Sequence, residues 1–197
     1  MSETVLGLMT ALGLSTAAGL NAYLPLLIVG GLDRWTDLLT LDAPYDVLSR
    51  PSVMLAIGVI ALVDFVGDKI PAIDSVLHAV GLVIAPVAGA LVALAATGSD
   101  TVDPGFAIVL GVAAAGATQG ARSVVRPAST AFTGGAGNPV LSLGEDAVSG
   151  VLSIGAVLVP IVAFVMALLL LGLLAWGASR VWRRRRTRRD ERTLDPP

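Results

Sequence analysis

Long apolar runs constrain this chain more than any other feature. They cover roughly residues 5–32, 52–67, 76–97, 105–121 and 147–178, and a helix needs about 20 apolar residues to cross a bilayer core. The first, third and last runs are long enough alone. The second and fourth are short and end in ionisable residues, so they cross only where protein or water accommodates those charges. Charged residues make up 14% of the chain and the mean hydropathy is +0.82, whereas soluble domains carry about 25% charged residues. The predicted fold is therefore all-α, a polytopic transmembrane bundle of about five spans, with four and six as the neighbouring counts. Residues 1–179 form the membrane domain. Residues 180–197 form an Arg-rich cytoplasmic tail expected to be disordered.

Charge placement sets the expected orientation. Of the 13 basic residues, twelve are Arg, and eight lie from Arg180 onward. Basic residues flanking a span are retained in the cytoplasm, so the C-terminus is expected inside. With five spans the N-terminus lies outside, segments 33–51 and 98–104 face the cytoplasm, and 68–75 and 122–146 face the exterior. Residues 1–4 carry Glu3 and no Lys or Arg, unlike the basic start of a secretory signal, and 5–32 is expected to be a retained helix. The chain has no cysteine, which excludes disulfides, thiolate metal sites and thiol catalysis. The preference for Arg over Lys, with Ala, Gly, Val and Leu abundant, points by association to a GC-rich bacterial genome and an inner (plasma) membrane.

Several segments carry local signals. In 33–51, Leu32, Trp35, Leu38, Leu39 and Leu41 share one helical side, while Asp33, Asp37 and Asp42 lie largely on the other, a pattern suited to a short interfacial helix or to a plain loop bounded by Pro44 and Pro51. Ala17-Ala18-Gly19 before Asn21 matches Ala114-Ala115-Gly116 before Thr118-Gln119. Asp74 with Pro86 matches Asp146 with Pro160. These pairs suggest a weak internal repeat, and three spans per half would make it an inverted one. The last run would measure about 48 Å as one helix, too long for a core of about 30 Å, and Pro160 offers a break. Pro86 divides the third run similarly.

Polar residues inside or beside the apolar runs are the candidate functional positions. Asp64, Asp68 and Asp74 surround the end of the second run, with Lys69 and His78 nearby, and intramembrane charges face a bundle interior or a wet cavity and pair with something. Arg122 and Arg126 are the expected partners. The segment 122–146 adds Thr133, Asn138, Glu145 and Asp146, together with Gly134, Gly135 and Gly137, whose amides could form an anion-binding nest. The alternative is a flexible external loop. No Gly-Lys-Ser/Thr follows the glycines, so this is not a nucleotide P-loop. The carboxylate and His78 pairs at i, i+4 would suit a hard cation, but a lone His is more often a packing residue, and no metal or other cofactor is expected.

The segments AAGLNAYLPLL (17–27), DKIPAID (68–74) and above all STAFTGGAGNP (129–139) resemble a family of small bacterial membrane proteins catalogued as domain of unknown function 4126. The resemblance covers about residues 7–175. It implies a membrane location and acidic residues at Asp64 and Asp74 as the shared positions, since aromatics often stand where this chain has Asp68 and Lys69. It implies no activity.

These residues bear on three classes of function. A small transporter or permease, with an ion or ligand pathway through the polar residues and a site open to the exterior, is the leading reading. A structural or accessory membrane protein that binds lipid or a partner is the alternative. An enzyme is not expected, because GxSxG, HExxH and cysteine are all lacking. The expected partners are the lipid bilayer, anionic lipid at the Arg tail and a second copy of the chain, with no nucleic acid.

Overall fold

The computed structural model describes the backbone of residues 2–67, 71–134 and 137–194, and the side chains of these except 71–75, 99–101, 128, 178, 181 and 184–194. The described residues form α1 (Glu3–Leu20), α2 (Tyr23–Trp35), a 3-10 turn (Tyr45–Ser49), α3 (Pro51–Gly67), α4 (Pro71–Thr101), α5 (Pro104–Thr133), α6 (Asn138–Leu158) and α7 (Pro160–Leu194), with no strand among them. Five helices are long and apolar enough to cross a membrane: α1, Val76–Gly98 of α4, α5, α6 and Pro160–Gly177 of α7. The protein is a multi-pass α-helical membrane protein.

Turn chemistry sets the boundaries. Asn21 ends α1, and its Oδ1 accepts from the amides of Tyr23 and Leu24 at the start of α2, the usual service of a short polar side chain to unpaired N-terminal N–H groups. Asp103 does the same for α5 through the Phe106 amide, with Pro104 in the first turn. Gly134, at φ 62°, closes α5 in the left-handed region that glycine enters without a Cβ clash. Pro160 opens α7, where a missing N–H costs nothing, while the Val159 amide still bonds Gly155 O to finish α6.

These breaks make hairpins of both terminal apolar runs. α2 turns back from Asn21, and the loop after it reaches the far end of α4, where Asp42 lies beside Gly98. The turn from α6 to α7 packs midway along α1: a Cβ on Gly13 would lie 2.9 Å from the Ala156 Cβ and 3.4 Å from that of Ala163. Each terminal run was expected to cross once, so two corrections follow. The α3 segment, 17 residues long, falls among the shorter apolar helices, and the count of five is restored by the division at Pro160. More important, the α6–α7 hairpin returns the tail to the end of the bundle that holds Arg122 and Glu145, since Leu170 and Leu174 of α7 line one groove with both. The expectation that 122–146 and the tail lie on opposite sides is overturned.

Other expectations change for local reasons. α4 continues through Pro86, and its non-helical residue is Gly98 (φ 65°). Segment 36–44 is irregular rather than an interfacial helix, because Asp33 Oδ1 binds the Leu41 amide and folds the chain inward to bury Leu41 and Leu48. α7 carries on as helix through the tail to Leu194, where the sequence has no Gly or Pro to stop it between Ser179 and Leu194. The paired Ala-Ala-Gly motifs meet at one level of α1 and α5, which run in the same direction, as do α4 and α6. The matching segments are therefore not related by inversion.

α1 is the axis. Of its apolar window 61% is buried, against 11% for α7. Lipid offers no hydrophobic drive to bring helices together, so close backbone approach and interhelical hydrogen bonds must do it. Gly19 lies against the Ala115 carbonyl, where a Cβ would come within 2.5 Å, and Gly89 lies against Gly111. Thr10 Oγ1 donates to Ala156 O, Ser15 Oγ to Gly89 O and Ser149 Oγ to Ala17 O, all buried. Ser149→Ala is expected to cost about 0.6 kcal/mol, the mean for such bonds in membrane helices, readable as a small fall in the unfolding midpoint in detergent.

Candidate functional site

Polar side chains from α1, α4, α5 and α6 converge at the end of the bundle that carries the tail. Glu145 of α6 is the hub. Its Oε2 accepts from Arg122 Nη2 at 2.6 Å and from Arg126 Nη2 at 2.7 Å. The three side chains are only 12%, 7% and 11% exposed for Arg122, Arg126 and Glu145, so these are charge-assisted bonds made largely out of water. Arg122 and Arg126 stand four residues apart on α5, one turn on the same face, and the α5–α6 hairpin brings Glu145 opposite both.

The network extends toward α1 and α4. Arg122 Nη1 donates to Gln119 Oε1 at 2.8 Å and more weakly to Gly19 O at 3.5 Å. Gln119 Nε2 reaches the His78 carbonyl at 3.4 Å. Ser123 Oγ lies 3.0 Å from Gln119 O and 2.9 Å from His78 Nε2. The Ser123 hydroxyl has one hydrogen, so it donates either to Gln119 O or to His78 Nε2, according to the imidazole tautomer. Asn21 Nδ2 donates to Asp146 Oδ1 at 2.9 Å, joining the α1–α2 turn to α6.

These groups border a cavity of about 40 Å³ lined by Asn21, Tyr23, Asp64, His78, Gln119, Arg122 and Arg126, with aliphatic residues of α4. A water needs roughly 10–15 Å³ measured with a water-sized probe, so the space suits two or three waters or one small solute group. Donors and acceptors face it together, so it is a polar space rather than a dry packing void.

The structure brings Asp64, Arg122 and Arg126 to this one cavity, with Glu145 behind the arginines and Asp146 on Asn21. Arg122 and Arg126, expected as partners of the Asp64–Asp74 cluster, both pair with Glu145 from their own polar segment. Asp68, Lys69, Gly135 and the side chain of Asp74 lie outside the described residues. Thr133, Asn138 and the glycine turn lie apart from the cavity lining. Thr133 Oγ1 donates to Ser129 O and receives the Gly137 amide, while Asn138 Nδ2 donates to Thr130 Oγ1. Gly134 closes α5 and the Gly137 N–H is used on Thr133 Oγ1, while Gly135 of the expected anion nest lies outside the described residues. Segment 122–146 is not a loop: its described residues are the end of α5, to Thr133 with its C-cap Gly134, and the start of α6, from Asn138 with its N-cap Gly137. Among the described residues no three His, Asp or Glu side chains gather where a metal could be held.

Sequence reasoning missed Asn21 and Gln119 as site residues and set His78 aside as a packing residue. A usable signal was present, because each is a strongly polar side chain within or beside an apolar run, and such residues find partners inside a bundle.

Residues 8–180 match the family model described as "Domain of unknown function (DUF4126)". The chain belongs to this family. The match takes in α2 to α6 whole, α1 from residue 8, α7 to residue 180 and every residue of the polar network. No curated protein and no solved structure matches the chain. Membership of the DUF4126 family thus brings no activity with it, and function has to be argued from the site.

Proposed function

We propose that this DUF4126 protein is a small transporter or permease of the bacterial inner (plasma) membrane, with its C-terminus in the cytoplasm and its polar site on that same side. The observation that carries the reading is the convergence of Asn21 of the α1–α2 turn, Asp64 of α3, His78 of α4 and Gln119, Arg122 and Arg126 of α5 on one cavity of about 40 Å³. Polar groups used only as interhelical glue would be spread over separate helix contacts. The α1–α2 break supports the reading too, since a helix C-terminus and a helix N-terminus both end at the cavity, as in the discontinuous helices of transporters. The basic tail retained in the cytoplasm makes the site cytoplasmic, because the two share one end of the bundle. No catalytic step is assigned.

A second reading rests on the buried Arg122–Glu145–Arg126 ion pairs across α5 and α6, which suit a structural brace in an accessory protein. Single cysteines separate the two, since the native chain has none. Cysteines at Asp64 and Tyr23 are expected to react with a membrane-impermeant thiol reagent in inside-out vesicles, together with one at Arg180. A cysteine at Asp103 is expected to react in intact cells. Protection of positions 64 and 23 from both sides, with both controls labelled, would remove the transport reading and leave the brace.

A further inference from the structure

The turn between α6 and α7 differs from the other connections at the end of the bundle away from the tail. There the α2–α3 connection carries Thr36, Asp37, Thr40 and Asp42, and the α4–α5 connection carries Ser99, Asp100, Thr101 and Asp103. Small polar residues of this kind suit turns in water. Residues 154–178, by contrast, hold no charged, hydroxyl or amide side chain. Yet the chain reverses within them, between Leu158 and Pro160, where Leu158, Val159, Ile161 and Val162 are each about half exposed.

Register against α1 gives the depth of that turn. Asn21 meets Asp146, the Ala17 carbonyl accepts from Ser149, and Thr10 donates to the Ala156 carbonyl, so α1 and α6 run antiparallel in step. Residues 146–158 of α6 cover about 18 Å at 1.5 Å per residue, against a hydrocarbon core of about 30 Å. From Thr10, α1 runs on for about 10 Å to Glu3, whereas α6 ends at Leu158, two residues after Ala156. Gly7 lies beside Thr97, so α4 accompanies α1 past the turn.

Lipid offers no partner to backbone polar groups, so a turn placed in it must satisfy them within the protein. The Val159 amide bonds Gly155 O at 2.8 Å, and the Val159 carbonyl accepts from the Val162 and Ala163 amides at 3.0 and 3.1 Å. Pro160 has no N–H, which deprives the Ala156 carbonyl of the amide four residues on. Thr10 Oγ1 of α1 supplies the donor instead, at 3.0 Å and buried.

We infer that α6 and α7 form a re-entrant hairpin. It enters and leaves the membrane at the end that carries the tail, and its tip at Val159 and Pro160 stops inside the hydrocarbon, where it faces acyl chains and not water. Each helix is long enough to cross, but residues 138–145 of α6 precede the stretch that runs beside α1. The inference holds whichever side the tail occupies and whatever the polar cavity carries.

Single cysteines at Val159, Asp103 and Arg180 test it in the full-length chain, which has none of its own. With a membrane-impermeant maleimide applied to each face in turn, positions 103 and 180 are expected to react from opposite faces, while labelling at 159 is lost from both. Ile161→Cys repeats the reading on the other side of Pro160, should Val159→Cys disturb the turn. Spin labels at 159 and 103 in lipid vesicles add a readout independent of thiol reactivity. Oxygen, which concentrates in hydrocarbon, should collide with the label at 159 more often than a water-soluble nickel complex does, with the order reversed at 103. Labelling of 159 from the face that labels 103 would bring the turn to the far surface and overturn the inference. Labelling from the tail's face would put the turn in water within the bundle and overturn it equally, as would a preference for the nickel complex at 159. Labelling at positions 64 and 23 reports on the cavity separately, so either idea can fail alone.

Discussion

Glu145→Ala is expected to destabilise the protein by about 3–5 kcal/mol, the range for breaking a buried ion pair by removing one partner. Two guanidinium groups hold one oxygen of this carboxylate, and at 12% and 7% exposure water replaces little of what is lost. The nearby Asp146→Ala change removes one hydrogen bond to Asn21 and should cost about 1 kcal/mol. Reversible unfolding in mixed micelles would measure both. A loss below about 1 kcal/mol for Glu145→Ala would mean that the cluster is hydrated enough to do without its carboxylate, and the picture of a dry hub would fail. A double-mutant cycle with Arg122→Ala should give a coupling above about 1.5 kcal/mol, as close charge pairs do elsewhere.

The second large effect is steric. Gly111→Val is expected to prevent α4 and α5 from docking, with a loss of 3 kcal/mol or more, at or above the usual range of about 1–3 kcal/mol for overpacking. Even the first carbon would lie 2.7 Å from the Gly89 carbonyl carbon and 2.8 Å from the Ala90 Cα. Backbone cannot rotate away as a side chain can, so the helices must separate along their length. Gly120 and Gly150 are helical glycines whose added Cβ would meet nothing within 4 Å. Alanine there should instead stabilise by roughly 0.5–1 kcal/mol through helix propensity. The same unfolding assay reads all three variants. Equal behaviour of Gly111→Val and Gly120→Ala would remove close backbone approach as the basis of the α4–α5 contact.

Much of the architecture was legible because the bilayer imposes a one-dimensional rule: apolar length reports a crossing without knowledge of any partner. The runs at 76–97 and 105–121 became the cores of α4 and α5 for that reason. Pro160 was readable as a break because a missing N–H acts locally. Asn21 was harder. Its role as a cap depends on the turn that follows, and a polar residue in an apolar run does not announce whether the chain bends there. Missing that bend, and treating 147–178 as one crossing, reversed the relation between the tail and the polar site.

The site was legible by residue type and not by pairing. Asp64, Arg122, Arg126, Glu145 and Asp146 stand out in sequence because charge near hydrocarbon is expensive. Their partners come from helices far apart in the chain: Asn21 meets Asp146 across 125 positions and Arg122 meets Gly19 O across 103. Thr133 holds the Gly137 amide and Asn138 bonds Thr130, because helix ends use the same hydroxyls and amides that a binding loop would offer.

By itself the sequence determined that this chain is a helical, multi-pass membrane protein with a small set of polar residues that must be sheltered, since both follow from the cost of placing polar groups in lipid. Which of those residues share a cavity, and which end of the bundle carries both site and tail, follow from the tertiary structure alone. Those depend on the direction of each helix and on backbone contacts at Gly13, Gly19 and Gly89, which no local pattern encodes.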